Sequence, residues 1–163
     1  MLNVIKAVFI FCILVLAQCD VRNQSDRAKP SLASSGKASP EKIDREVAAL
    51  IKKIVHKKTE TKAFADLEAL GCAAVPSIIR RMDDRRKLPI PAISLKNKSP
   101  QALEGLRHYG PKEVVDALAA ILNQITGQDF GSIYNGATEA DRTHAVRGWR
   151  DWLRRTPAED LCK

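Results

Sequence analysis

Apolar residues recur at three- and four-residue steps along two neighbouring segments between residues 62 and 84. The apolar positions are Ala63, Phe64, Leu67 and Leu70 in the first segment, and Val75, Ile78, Ile79 and Met82 in the second. This spacing is typical of the buried face of an amphipathic helix, and Gly71 between the segments is the residue type that ends helices. The pattern therefore predicts two helices joined by a very short turn. Since neither helix could bury its apolar face alone, we expect further helices to pack on this hairpin.

The stretch before this hairpin predicts a first helix. Residues 39–41, Ser-Pro-Glu, place an N-cap serine before a proline and an acid in the first turn. An apolar stripe follows and ends near Lys57 and Lys58, whose positive charges suit a helix C-terminus. After the hairpin, residues 85–91 combine Arg-Arg-Lys with two prolines that disfavour helix. We interpret these residues as a loop or an extended connector, and their apolar residues suggest that it lies against the domain.

The second half of the chain predicts three more helices. A short one covers residues 99–110, and a longer one starts at Pro111 and stops at the glycine-rich turn of residues 127–136. Together these two helices would form a second, degenerate hairpin. The last helix begins after Thr138, with Asp141 placed for an approximate capping box. Its inner stripe contains both tryptophans, which we interpret as core residues.

The sequence of the first hairpin resembles the short bacterial form of the HEAT-like repeat family. The resemblance rests on Leu70-Gly71, on residues 73–76 (Ala-Ala-Val-Pro) and on the Ile78-Ile79 pair, and it covers about one repeat. It implies an all-α fold of HEAT-like helical hairpins, a short α-solenoid, which that family uses mostly as an interaction scaffold. The aromatic content of 5% and the lack of alternating Val, Thr and Tyr favour the same all-α class.

The N-terminus has the pattern of an export signal. Lys6 precedes an apolar run over residues 7–17 that is too short to span a membrane comfortably. Residues 16–19, Leu-Ala-Gln-Cys, resemble the lipobox of bacterial lipoproteins. In that family the chain is cut before the cysteine, which receives a diacylglycerol, so the resemblance implies lipidation of Cys19. The alternatives are a plain cleaved signal and an uncleaved anchor.

These signals divide the chain into four parts. We predict a signal peptide at residues 1–18, a lipidated Cys19 with a disordered, flexible linker at 19–39, a HEAT-like helical domain at 40–156 and a C-terminal tail at 157–163. The linker is polar and has almost nothing apolar to bury. We expect the protein to be lipid-anchored at the cell membrane, with its folded part facing the periplasm or the cell exterior.

Four cysteines reduce to two if Cys12 leaves with the signal peptide and Cys19 carries the lipid. The remaining two, Cys72 and Cys162, are candidates for a disulfide in an oxidising compartment. The alternative is that Cys72 is a small turn residue, that Cys162 lies in a frayed tail, and that the two are unpaired.

The sequence carries no recognisable catalytic or metal-binding motif. It contains no HExxH, no CxxC and no histidine pair at i, i+4, so we predict no metal and no cofactor. It contains no GxSxG, and its acids, Asp116 among them, fall on positions that we assign to outer helix faces. We therefore predict a protein that is not an enzyme. For a hydrolase of unrecognised type, the first candidates would be His108, His144 and Asp129.

Basic residues form three clusters, and the net charge of the chain is +8. The clusters are Lys52, Lys53, Lys57 and Lys58; then Arg80, Arg81, Arg85, Arg86 and Lys87; then Arg147, Arg150, Arg154 and Arg155. Export argues against nucleic acid as a partner. The charge then favours anionic phospholipid surfaces, anionic envelope polymers or an acidic protein. The alternative is a set of solvated helix faces with a modest positive excess.

The expected function is binding, with the membrane as one partner through the lipid and a protein of the cell envelope as the other. The candidate binding surface consists of Arg80, Arg81, Arg85, Arg86, Lys87, Gln128 and Asp129. One version of this function is a scaffold or accessory subunit of an envelope complex. The alternative is an inhibitor or immunity protein directed against an envelope-acting enzyme or toxin.

Overall fold

The computed structural model describes residues 39–97 and 103–163, so the predicted signal peptide, Cys19 and nearly all of the predicted linker lie outside the described residues. The described part is mostly helical and contains one two-stranded sheet. Its helices are α1 (Pro40–Lys53), α2 (Glu60–Ala69), α3 (Val75–Arg80), α4 (Val114–Thr126) and α5 (Glu139–Arg155), and its strands are β1 (Ile93–Lys96) and β2 (Leu106–Tyr109). Within the described ranges no helix has both the length and the apolar character that crossing a membrane requires.

The first three helices follow the predicted pattern closely. The side chain of Ser39 caps α1 by accepting a hydrogen bond from the backbone N–H of Lys42, and α1 ends at Lys53, before the predicted lysine pair. The α2–α3 hairpin is confirmed: its turn is the 3-10 segment Gly71–Ala74, which begins at a positive φ of 57° that glycine adopts without strain. The apolar faces of α1, α2 and α3 all enter one core.

The central element is α4, which is buried almost all round. Ten of its thirteen residues are buried, and both α2 and α3 pack against it. Its first residue is Val114 rather than the predicted Pro111, and Gly127 ends it with φ at 71°. A helix that is apolar on every side can be stable only when its neighbours surround it, and this one forms the middle of the core.

Residues 106–109 form a strand, so the predicted helix over this stretch is wrong. β2 pairs antiparallel with β1, with Ile93 opposite Tyr109 and Lys96 opposite Leu106. β1 turns Ile93 and Leu95 into the core, while Leu106 is 48% exposed. As a strand, these residues form backbone hydrogen bonds with β1, and the side chain of Tyr109 is buried. Over the described residues from 103 onward the second helical hairpin is therefore absent, and the described fold is mostly helical rather than all-α.

The connector and the C-terminal tail both lie against the domain. The backbone N–H of Leu88 donates to Lys112 at 3.0 Å, and that of Val114 donates to Arg86 at 2.9 Å, so the predicted extended connector is confirmed. Beyond residue 156, Leu161 is buried, and Cys162 forms a disulfide with Cys72 across a Cα–Cα distance of 6.0 Å. The tail is thereby joined to the turn of the first hairpin.

An aromatic cluster closes the domain beside α5. The capping box of Thr138 and Asp141 starts this helix as predicted. The ring of Trp149 is buried and meets Phe130 edge to face at 4.8 Å between centroids. Trp152 is only half-buried and packs on Trp149 at 5.6 Å. The interpretation as core residues is thus confirmed fully for Trp149 and partly for Trp152.

Candidate functional site

A buried ion pair joins α4 to α5 and corrects the prediction for Asp116. Asp116 is fully buried rather than on an outer face, and its two oxygens accept from Nε and Nη2 of Arg142 at 2.8 and 2.9 Å. One of these oxygens also accepts from the backbone N–H groups of Lys112 and Glu113, at 3.0 and 3.1 Å. The hydrogen bonds to Asp116 raise the pKa of Arg142. Since every oxygen of this carboxylate is engaged, the pair fixes two helices and is not free for chemistry.

Two arginines of the candidate binding surface are used to hold α3 against α1. The carboxylate of Asp44 accepts two hydrogen bonds from Arg81, at 2.7 and 2.8 Å, and one from Arg80 at 2.5 Å. The hydroxyl of Ser77 donates to the same carboxylate at 2.5 Å. Hydrogen bonds from Arg81 first, then from Ser77 and Arg80, hold the pKa of Asp44 far below its usual range. We conclude that Arg80 and Arg81 stabilise the packing of α3 against α1.

The rest of that basic cluster is also largely neutralised inside the protein. Arg85 donates from Nε to both carboxylate oxygens of Glu139 at 3.0 and 3.1 Å. Burial acts to raise the pKa of Asp84, but hydrogen bonds from Arg86 outweigh it and the pKa is lowered. Lys87 is exposed, and its side chain has no ion-pair partner among the described residues. Most of the predicted binding surface is therefore occupied by internal contacts.

Asp129 organises the glycine-rich turn in which it lies. It accepts from the backbone N–H groups of Gly131 and Ser132 at 3.0 and 2.8 Å, and from the hydroxyls of Ser132 and Tyr134 at 2.7 and 2.6 Å. Burial acts to raise the pKa of Asp129, but these hydrogen bonds outweigh it and lower the pKa. A carboxylate held in this way is a weak base. The neighbouring Gln128 is exposed. Its backbone carbonyl accepts a hydrogen bond from the side-chain amide of Asn123, and its backbone N–H donates to the hydroxyl of Thr126.

The two histidines named as hydrolase candidates lie on different elements. His108, on β2, shares a 2.8 Å hydrogen bond with the hydroxyl of Ser94 on β1. His144 is exposed on α5, near Asp141 and Gly131. Within residues 39–97 and 103–163, no group of three or more His, Cys, Asp or Glu side chains could hold a metal ion.

A groove lined by arginines lies between the outer face of α5 and the chain that follows α3. We call it the arginine groove, and it encloses about 430 Å³. Its lining residues are Asp83, Arg85, Thr143, Val146, Arg147, Arg150, Asp151 and Arg154. The positions 147, 150 and 154 follow one another at steps of three and four, so α5 aligns their side chains on one face. That spacing was visible in the sequence, although the prediction favoured a different cluster.

The arginine groove carries more positive than negative charge. Arg150 pairs with Asp83 at 2.5 Å between Nη2 and Oδ2, and Arg154 pairs with Asp151 one helical turn away. Arg147 is exposed, and no acid in the described part of the chain pairs with it. Beneath these side chains, Val146 is buried and gives the groove a fixed apolar floor. Such an arrangement suits an anionic group of the carboxylate or phosphate type.

Two further cavities have different linings. One, of about 420 Å³, lies beside β2 and is lined in part by His108, Tyr109 and Tyr134. The other, of about 530 Å³, is more apolar and lies beside the disulfide, between Ile43 and Leu161. Of the three cavities, only the arginine groove combines a row of guanidinium groups with one that is unpaired.

Comparison of the chain with protein-family models, with curated proteins and with solved structures finds no match. The arginine groove and the disulfide are therefore the features of the chain that bear most directly on its function.

Proposed function

We propose that this chain is an exported, lipid-anchored binding protein that presents the arginine groove to an acidic segment of a partner protein in the cell envelope. The observation that carries the proposal is the unpaired guanidinium of Arg147 in a groove whose other arginines are held in place by acids. A charged group without a partner in the lining of a preformed groove is available to an incoming anion.

The disulfide supports the proposed export. Cys72 and Cys162 are 90 residues apart in the chain and are joined in the folded domain. Disulfides of this kind form and persist in oxidising compartments outside the cytoplasm. This agrees with an export signal at residues 1–18 and with attachment through a lipid on Cys19. Two acyl chains on one cysteine give stable anchoring, since each buried methylene contributes about 0.8 kcal/mol.

The shape of the arginine row supports a peptide-like partner. With a rise of about 1.5 Å per residue, Arg147 and Arg154 are separated by about 10 Å along α5. Alternate side chains of an extended strand are about 7 Å apart, so two or three carboxylates of an acidic segment span this row. Guanidinium groups bind carboxylates through paired parallel hydrogen bonds, which favours an ordered acidic segment over a diffuse charge.

A titration with short peptides tests the groove directly. Lys37–Lys163 form one compact unit that contains the described core, so this fragment can be labelled and studied alone. We expect a glutamate-rich hexapeptide to shift the amide resonances of α5 around Arg147, and a glutamine-rich hexapeptide to leave them unchanged. Arg147→Gln should weaken binding about fivefold, the upper value for one exposed ion pair.

Arg45→Gln provides the matched control, because it removes one exposed guanidinium from α1 instead of α5. Its affinity for the acidic peptide should equal that of the wild-type fragment. Equal weakening by Arg45→Gln and Arg147→Gln, or resonance shifts centred outside α5, would contradict the proposed groove.

The partner itself can be sought in the membrane fraction of the native host. Wild-type protein and the Arg45→Gln variant should capture the same envelope protein, and Arg147→Glu should not. Capture that is independent of the groove variant would count against the proposal. An enzyme partner that loses turnover on binding would identify the role as inhibition, and an unaffected partner would identify it as a scaffold.

A further inference from the structure

The outward side of α1 carries a row of cations that is separate from the arginine groove. Lys42, Arg45 and Lys52 are exposed and, with the exposed Ala49 between them, follow one another at steps of three and four along α1. They lie opposite the buried stripe of Ile43, Val47 and Leu50. We define the α1 basic face as these three cations together with Lys53, the last residue of α1, and with Lys57 and Lys58 in the turn that follows the helix; all six are exposed.

The cations of the α1 basic face have no internal partners. Among the described residues, no hydrogen bond or ion pair is made by the charged end of any of the six side chains. Of the acids of α1, Asp44 is engaged by α3. Glu41 and Glu46 are exposed one turn from Arg45 and Lys42 and form no ion pair with them, so this side of the domain carries six exposed cations against two exposed acids. This contrasts with the arginines at 80, 81, 85 and 86, whose charges are paired inside the domain.

We propose that the α1 basic face lies on the surface of an anionic phospholipid bilayer, with α1 parallel to the membrane. Positive charges near such a surface are attracted to it, and the attraction acts over about one Debye length. The inference rests on the proposed lipid anchor, because that anchor brings the domain to the membrane. It assigns the outward side of α1 as the side of the domain that faces the lipid.

The position of the anchor agrees with this orientation. Cys19 precedes Ser39, the N-cap of α1, by twenty residues. Twenty residues of chain span at most about 70 Å. With fourteen residues, α1 is about 21 Å long. A bilayer that holds Cys19 is therefore within reach of the whole α1 basic face.

The chemistry of the α1 basic face favours lipid headgroups over an acidic protein. Five of its six cations are lysines, which are compact, strongly hydrated charges on flexible stems. None of the three described cavities includes the lysines of this face in its lining. Exposed lysines on flexible stems suit a diffuse layer of phosphates. The arginine groove, with aligned guanidinium groups and a fixed floor, suits an ordered ligand.

The orientation has a consequence for the arginine groove. α3 packs against both α1 and α5, and no residue that lines the arginine groove belongs to α1. The two proposed surfaces therefore share no residue. One surface would then bind the membrane while the other receives the partner.

Vesicle co-sedimentation of the Lys37–Lys163 fragment tests this inference without the anchor. The fragment lacks Cys19, so the result does not depend on whether the native protein is lipidated. We expect it to bind phosphatidylcholine vesicles that contain phosphatidylglycerol, and not vesicles of phosphatidylcholine alone. Each surface cation strengthens such binding about fivefold, so the triple variant Lys42→Gln, Arg45→Gln, Lys52→Gln should lose about 100-fold in partition coefficient.

The matched control removes three cations from α5 through Arg147→Gln, Arg154→Gln and Arg155→Gln. It should retain binding within a few-fold of the wild-type fragment, and circular dichroism should show both triple variants folded. Three results would overturn the inference: no preference for phosphatidylglycerol, equal losses in the two triple variants, or a larger loss in the α5 variant. None of these would bear on the peptide titration, so failure of this inference and failure of the proposed function are distinguishable.

Discussion

Arg142 shows how a single buried charge is stabilised in this protein. Its guanidinium lies between α4 and α5, where Asp116 binds it through two hydrogen bonds and Glu113 lies 3.4 Å away. An ion taken out of water loses its hydration, and in this site the carboxylates replace that hydration. Removal of either partner leaves the other charge buried and unpaired.

We therefore expect Arg142→Ala to lower the free energy of unfolding by about 3–5 kcal/mol. The control is Arg154→Ala, which removes an exposed pair with Asp151 and should cost no more than about 1 kcal/mol. Urea unfolding followed by circular dichroism measures both. A double variant, Arg142→Met with Asp116→Asn, should recover part of the loss, because the amide oxygen of the asparagine still accepts from the backbone N–H groups of Lys112 and Glu113. Similar losses for Arg142→Ala and Arg154→Ala would show that the buried pair is not stabilised as described.

Asp44 should make part of the stability depend on pH. Its pKa is lower in the folded protein than the unfolded value of about 3.9, because Arg81, Ser77 and Arg80 donate to it. Stability from such a group is fully present above the unfolded pKa and is lost as the pH falls toward the folded pKa. The gap in urea midpoint between wild type and Asp44→Asn should therefore narrow from pH 7 to pH ~3.

The control for this measurement is Asp66→Asn, which removes an exposed pair with Lys62. Its urea midpoint should stay close to the wild-type value at both pH values. A gap for Asp44→Asn that stays constant or widens on acidification would contradict the role assigned to the Asp44 carboxylate.

The sequence contained a signal for the buried ion pair, but the prediction did not use it. Asp116 follows two valines and precedes Ala117 and Leu118, so it lies in a helix that is apolar on every side. A charged residue in such a helix must be buried and paired. Its partner could not be identified in the same way, because Arg142 lies 26 residues away and is one of several arginines on α5.

At the level of elements, the helices were predictable because their patterns are local. α1, α4 and α5 each combine an apolar stripe with a recognisable residue at one or both ends, such as Ser39, Gly127 and Thr138. The sheet was missed because Leu106 and Tyr109 are three residues apart, a spacing that also fits a helix. β2 has three exposed residues before one buried residue, so it lacks the alternation that marks a strand.

The disulfide is a contact between distant elements with a measurable effect. It joins the turn before α3 to the C-terminal tail across 90 residues. Reduction should lower the free energy of unfolding by about 2–4 kcal/mol, because the open chain gains conformational freedom when it unfolds. The double variant Cys72→Ser, Cys162→Ser should match the reduced protein and should not respond to reductant. Equal stability of the oxidised and reduced wild-type domain would contradict this.

At the scale of the whole molecule, the arginines and the lysines are used differently. The arginines mostly pair with acids inside the domain or align along the arginine groove, whereas the lysines of the α1 basic face remain free. The sequence could locate the basic clusters, but only the fold shows which of them are neutralised. Arg147 has no acid partner in the described part of the chain, whereas the four arginines between residues 80 and 86 are all paired, and for this reason we propose the partner site on α5.

We propose that this domain is exported and held at a membrane by a lipid on Cys19. The intact mass of the protein, recovered from the membrane fraction of its native host and measured before and after reduction, decides whether this is so. We expect the mass of a chain that starts at a diacylated Cys19 and gains two hydrogens on reduction of the bond between Cys72 and Cys162. An unprocessed chain in the soluble fraction, with no change in mass on reduction, would contradict it.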